Sequence, residues 1–377
     1  MSTNVRTLRS CALVCKDWTP AAQRILFHRI TTRINVFSQK SILDLDRFLT
    51  QQLNIGNRIL SLDLSVAISP SDTKPKPKVL TLSVTTLEQM LSHCPYLYHL
   101  GLNIDTPSFE EDEVARLSAL PVKVRSLDVI FRCDITKALA QLFFIWPTIR
   151  HFSYRNPYGM EMTNPAEVLP ERPPFSLYEL SLHSDPDRYV LDWLVPPPNE
   201  SETNFQPSLR ILEASMPMVF DDSQWDYKPF APFLLSLRLS HPPQDGLSWH
   251  VLDAFNNLEE LVLRDCLAGH WTIRALPPTL KHYRYHRSGR PEVKKARALL
   301  LAHAVLLLCP KLEMFTMNYG PKGPYREVFR DFEKLCAGRK IAFNVDPRIH
   351  LMSDYPVPVD RFPRLRTVDN LYQMKRC

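Results

Sequence analysis

A short apolar pattern recurs along the chain: one apolar residue, two others, a second apolar residue, one other, and a third. It reads Ile59-Leu62-Leu64, Leu97-Leu100-Leu102, Val124-Leu127-Val129, Ile149-Phe152-Tyr154, Leu177-Leu180-Leu182 and Leu209-Leu212-Ala214. It continues as Leu234-Leu237-Leu239, Leu258-Leu261-Leu263, Leu280-Tyr283-Tyr285 and Leu312-Phe315-Met317, and a degenerate copy, Leu365-Val368, closes the series. The copies from Ile59 to Leu312 start roughly 22 to 38 residues apart, mostly in the mid-twenties. The last two positions are two residues apart, so on a strand they face the same side, and the first falls on the turn leading into it. One such strand cannot bury its apolar face alone, but a stack of parallel copies makes a continuous core.

Helix-period segments precede several copies. Residues 86–94, 138–146 and 298–309 each end at a proline (Pro95, Pro147 and Pro310), and the next anchor lies two residues on. Proline pushes the residue before it out of helical angles and so helps stop the helix. The asparagines of Leu252-Asp253-Ala254-Phe255-Asn256-Asn257 act as the same kind of stop. The acidic run at Glu110, Glu111, Asp112 and Glu113 suits the first turn of a helix, where carboxylates complement the helix dipole.

Period and pattern together are those of a leucine-rich repeat. They predict an α/β fold: an irregular leucine-rich-repeat solenoid over residues 36–377, with a parallel sheet on one face and helices on the other. The proline-rich stretches 67–79, 156–176 and 196–207 read as loops projecting from it. Residues 7–30 have helical spacing at Leu8, Cys11, Ala12 and Cys15 and again at Ala22, Ile25, Leu26 and Arg29, with Thr19 as N-cap and Pro20 opening the second helix. Residues 1–35 thus read as a small helical cap over the first repeat.

The 377 residues are 45% hydrophobic and 23% charged, an ordinary globular balance, and 33 prolines against 9 glycines fit many short elements with enforced stops. The charge of +6 does not make nucleic acid the default partner. Eight scattered cysteines without a CxxC pair fit free thiols in a reducing compartment, cytoplasmic or nuclear. The longest apolar run, 298–309, is too short to span a bilayer, so no membrane partner is expected.

The segment Leu8-Arg9-Ser10-Cys11-Ala12-Leu13-Val14-Cys15-Lys16-Asp17-Trp18, with Ala22, Leu26, Phe27 and Ile30, resembles the second half of an F-box as found in fungal, basidiomycete-type F-box proteins. The downstream CPxLxxLxL-like anchors resemble the substrate-binding part of such proteins. The family opens with an LPxEI-like helix, whereas MSTNVRT precedes Leu8 here. The resemblance implies a substrate-recognition subunit of a cullin–RING (Skp/cullin/F-box) ubiquitin ligase. A Skp-type adaptor would dock on Leu8, Leu13, Val14, Cys15, Trp18, Leu26, Phe27 and Ile30, and a protein substrate on the repeats. An adaptor-independent interaction protein is the alternative.

No nucleophile elbow, Walker motif, HExxH or GxGxxG is present. The neighbouring carboxylates Asp221 and Asp222 read as loop charge. Cys11, Cys15 and His28 fall short of a closed metal shell and read as core residues. The chain is therefore read as a binding protein rather than an enzyme, with no metal or cofactor implied. One cationic stretch stands out: Lys281, Arg284, Arg287, Arg290, Lys294, Lys295 and Arg297, opposed by Glu292. Tyr283 and Tyr285 are anchors, so Lys281, His282, Arg284 and His286 are expected on the exposed face. This patch would hold an acidic or phosphorylated peptide, or a nucleic-acid backbone.

Overall fold

The anchors decide where the strands lie. The computed structural model describes residues 29–32, 40–68 (without 52 and 58), 81–155 (without 132, 133 and 135), 163, 167, 175–183, 188–196, 207–215, 229–240, 252, 254–264, 276–286, 305–318 and 326–346. Among these, the first-position residues Ile59, Leu97, Val124, Ile149, Leu177, Leu209, Leu234, Leu258, Leu280 and Leu312 are all buried, each just ahead of a strand. The copy at Leu365-Val368 lies outside the described residues.

The chain forms two compact units, residues 1–177 with 367–377, and residues 178–366. The first contains β1 (Arg29–Thr32), α1 (Lys40–Gln51), α2 (Leu53–Gly56), β2 (Ser61–Ile68), β3 (Thr81–Leu82), α3 (Val84–Ser92), β4 (His99–Ile104), α4 (Glu111–Ser118), β5 (Ser126–Phe131), α5 (Thr136–Ile145) and β6 (His151–Arg155). Its strands run parallel in the order β1-β2-β4-β5-β6, and β3 pairs with the far end of β2. The second contains β7 (Glu179–Leu182), α6 (Arg188–Leu194), β8 (Ile211–Ser215), β9 (Ser236–Ser240), β10 (Glu260–Arg264), β11 (His282–His286), β12 (Met314–Asn318), α7 (Arg326–Gly338) and β13 (Ala342–Asp346). These strands are also parallel and follow chain order. Parallel neighbours need a crossover of about a dozen residues or more, which the repeat spacing supplies.

Register puts the anchors in columns. Leu62, Leu100, Leu127 and Phe152 align in the first unit. Leu180, Leu212, Leu237, Leu261, Tyr283, Phe315 and Phe343 align in the second. A fully buried leucine of this kind contributes about 1.5–3 kcal/mol. Aromatic anchors pack on the helices and on one another: Phe143 of α5 lies 5.1 Å from Phe152 and stacks at 4.1 Å on Phe175. Phe332 of α7 stacks on Phe315 at 5.8 Å and on Phe343 at 6.1 Å.

Two backbone devices recur. At several anchors the amide donates to the carbonyl three residues earlier: Leu97 to Cys94, Ile149 to Trp146, Leu234 to Ala231, Leu258 to Phe255, Leu280 to Pro277 and Leu312 to Cys309. The accepting residue is itself buried, so the repeat has a further inward position three residues before its first anchor. This explains Cys94 and Cys309, free thiols that burial pushes up to about 12, as it pushes Cys336 of α7 to about 11. The second device joins repeats. At many strand starts two successive amides donate to one carbonyl of the preceding repeat, as Arg125 and Ser126 do to Tyr98, and Lys281 and His282 to Glu259.

Helix ends follow the sequence. Ser83 caps α3 by accepting from the Thr86 amide, and Glu110 with Glu113 forms a capping box at α4, so the acidic run is a helix start. The helix ahead of Pro95 spans Val84–Ser92 and the one ahead of Pro147 spans Thr136–Ile145. Of the third, residues 305–308 are helical.

Some elements differ from the sequence reading. Residues 29–32, assigned to the helical cap, form strand β1 against Ser61–Leu64; the β-branched run Ile30-Thr31-Thr32 favours a pleated strand. Strand β2 continues to Ile68, into the stretch read as a loop from residue 67. The middle of that loop and most of 156–176 and 196–207 lie outside the described residues.

Candidate functional site

Of the residues that the F-box resemblance marks, Leu8, Leu13, Val14, Cys15, Trp18, Leu26 and Phe27 lie outside the described residues, as do Cys11 and His28. Ile30 sits on β1, paired with Leu62, not on a helix. In the cationic stretch, Arg287, Arg290, Lys294, Lys295 and Arg297 also lie outside. The other two are separated by the fold. Lys281 is half-buried at the leading edge of the sheet, beside Glu259 at 2.5 Å. Arg284 is buried at 6% exposure and His282 at 1%. The expectation that they line an exposed face is corrected: the face opposite the leucine columns is itself buried here, and its polar groups bond across strands.

In the second unit this face carries an ion cluster. Arg238 of β9 lies 3.5 Å from Glu179 of β7, 3.9 Å from Glu213 of β8 and 3.7 Å from Glu260 of β10. All four are buried. Ser236 donates to Glu260 at 2.5 Å and Ser181 to Glu213 at 3.2 Å. His282 stands 3.2 Å from Glu260 through Nδ1 and 2.9 Å from Thr316 through Nε2. Buried charges persist only when paired and bonded in this way.

The first unit carries a chain of imidazoles, hydroxyl and carboxylates. His99, Ser126 and His151 occupy matching positions on β4, β5 and β6. The Ser126 hydroxyl lies 2.7 Å from His99 Nδ1 and 2.6 Å from His151 Nδ1. His99 Nε2 meets Asp63 Oδ1 of β2 at 2.8 Å, and Asp128 Oδ1 stands 3.9 Å from His151 Nδ1. Asp63, His99 and Ser126 are the residue types of a nucleophilic triad. Ser126 is nevertheless 0% exposed, as is His151, and a serine shut off from solvent cannot meet a substrate carbonyl.

A groove of about 360 Å³ runs along the leading edge of the second unit. Leu235, Glu259 and Lys281, the residues just before β9, β10 and β11, line it together with Arg210, Phe233 and Lys311. Arg210 is held by the carbonyls of Pro207 and Leu209, with its guanidinium 5.9 Å from the centre of the Phe233 ring. Lys311 is exposed. Three cations, one carboxylate and an aromatic ring therefore line the groove.

These clusters were missed in the sequence, although a signal was present. The position just before the second anchor and the position between the last two are held repeatedly by Ser, His, Asp, Glu or Arg. Reading the polar slots across repeats, as the leucines were read, would have found them.

No protein-family model matches the chain, and no curated protein is significantly similar to it. Among solved structures it is similar to the crystal structure of a Bacteroides fragilis protein determined as a structural-genomics target. The identity is 13% and the TM-score 0.37, over 90% of this chain and 79% of that one. At that level the likeness bears on neither mechanism nor partner. No helix among the described residues is long and apolar enough to cross a membrane.

Proposed function

We propose that the protein is a partner-binding solenoid of the leucine-rich-repeat type, without catalysis of its own, serving as a substrate-recognition subunit of a Skp/cullin/F-box ubiquitin ligase. The observation that carries the binding part is the leading-edge groove of the second unit. Arginine and aromatic side chains dominate the energetics of protein interfaces, and here Arg210 and Phe233 are already set against each other beside Lys281 and Lys311. The excess of positive charge suits a partner segment that carries carboxylates or phosphate. The ligase part rests on the resemblance of residues 8–30 to half an F-box, and any ubiquitin chemistry belongs to other subunits.

The test is a pull-down of the 377-residue chain with purified Skp-type adaptor, beside a variant carrying Trp18→Ala and Leu26→Ala. The expected result is adaptor retained by the first chain and lost by the second, with equal circular dichroism. Binding by neither removes the ligase role and leaves an adaptor-independent interaction protein. Phe233→Ala with Lys311→Glu is expected to weaken capture of protein partners by about tenfold or more; unchanged capture would move the interface away from the groove.

A further inference from the structure

We propose that His99, Asp128 and His151 form a binding site for one divalent transition-metal ion of the zinc class. Their ligand atoms lie within 4.8 Å of one another. The two histidines stand two strands apart, and they meet because the residue between them in register, Ser126, is small. Both present Nδ1 toward one point, the place of the Ser126 hydroxyl. Asp128, one residue pair along the same face, adds a carboxylate oxygen 3.9 Å from His151 Nδ1. Imidazole with carboxylate is a donor set suited to zinc. With bonds of about 2.0–2.2 Å, tetrahedral ligand atoms lie roughly 3.3–3.5 Å apart, so the side chains must draw in by about an ångström.

Three features go beyond proximity. Asp63 accepts a hydrogen bond from His99 Nε2; an ionised carboxylate only accepts, so in the neutral ring the proton sits on Nε2 and the Nδ1 lone pair faces the site. A carboxylate behind a ligating histidine fixes its tautomer and orientation in this manner. Gly101, the register neighbour of both Asp63 and Asp128, makes room for that carboxylate: a Cβ at position 101 would come within 2.6 Å of Asp63 Oδ1. Charge closes as well. A dication with two neutral imidazoles, Asp128 and Asp63 is net neutral, which a buried site requires. Asp63 and Asp128, with side chains 22% and 31% exposed, give the ion its way in from solvent. On binding, His151 moves its proton from Nδ1 to Nε2 and the Ser126 hydroxyl rotates aside.

The full chain, stripped with a chelator and titrated with Zn²⁺ against a chromophoric competitor, is expected to take up one ion at this site. His151→Gln and Asp128→Asn should weaken it by more than roughly a hundredfold, and Gly101→Ala or Asp63→Asn, which leave all three ligands in place, by roughly 10–100-fold. Ser126→Ala should retain binding. Co²⁺ in the wild-type chain should give ligand-field bands without a thiolate charge-transfer band, a readout that holds even if a variant fails to fold. No retained ion, unchanged affinity in folded His151→Gln and Asp128→Asn, or a thiolate band that puts the ion on cysteines would each overturn the proposal.

Discussion

Single residues show where this fold is under local tension. Lys340 follows α7 with φ 61, in the left-handed region that favours glycine. The position is imposed by the end of the helix, where the amide of Ile341 reaches back to the carbonyl of Cys336 and that of Lys340 to Ala337. Lys340→Gly is expected to stabilise the chain by about 0.5–1 kcal/mol, read as a higher urea midpoint at unchanged slope. Gly56 shows the converse constraint. A Cβ there would come within 1.9 Å of the His93 carbonyl, so the backbone of α2 approaches the end of α3 only because residue 56 has no side chain.

At the scale of elements, helix starts combine local capping with tertiary ties. Asp134, just ahead of α5, accepts from the Thr136 amide at 2.9 Å and from its hydroxyl at 2.6 Å, and its other oxygen accepts from the Thr163 hydroxyl at 2.5 Å. Burial raises the pKa of this carboxyl, but the hydrogen bonds from Thr136 and Thr163 outweigh it and hold the group below the ordinary carboxylate value. A lowered pKa stabilises the folded state in full above the ordinary value near 4, and that contribution is lost as pH falls through the lowered one. Asp134→Ala should therefore cost about 1 kcal/mol at pH 7, with solvent screening keeping it near that figure. The gap to wild type should close below about pH 4 in parallel urea titrations. A gap constant with pH would mean that only the geometry of the turn matters. Between helices, Arg116 of α4 reaches Glu88 of α3 at 3.0 Å and Asp112 on its own helix.

At the scale of the molecule, each unit sets a leucine face against a polar face, and the polar face of the second depends on one arginine. Arg238 answers three buried glutamates on three different strands. Replacing it leaves those carboxylates facing one another in a dry setting, whereas removing the charge on one glutamate only lowers the surplus. Arg238→Met is expected to destabilise the chain by about 3–5 kcal/mol, against less for Glu179→Gln, by urea denaturation followed by circular dichroism. Equal costs would show that the cluster acts as separate pairs. The same reasoning bears on partner binding. With Arg284 buried, the charge available to a partner among the described residues of 281–286 is Lys281, at the edge beside Arg210 and Lys311. Binding through this edge should fall with salt less steeply than through a seven-cation patch.

The sequence by itself determined the anchors, the helices that stop before Pro95 and Pro147, and the strand segments behind them. All of these rest on interactions within about a dozen residues, where apolar spacing and proline act directly. It did not reveal β13, where Ile341, Phe343 and Val345 replace the usual spacing, and β1 was hidden by a helical-looking flank. What only the tertiary structure decided is which polar residues meet. His99 and His151 face each other over Ser126, Asp63 leans across Gly101, and Arg238 finds its three glutamates because register brings together segments more than twenty residues apart. A one-residue slip in any crossover would turn those side chains to the opposite face. Local sequence carries the face of each strand, and the pairing of strands carries the chemistry.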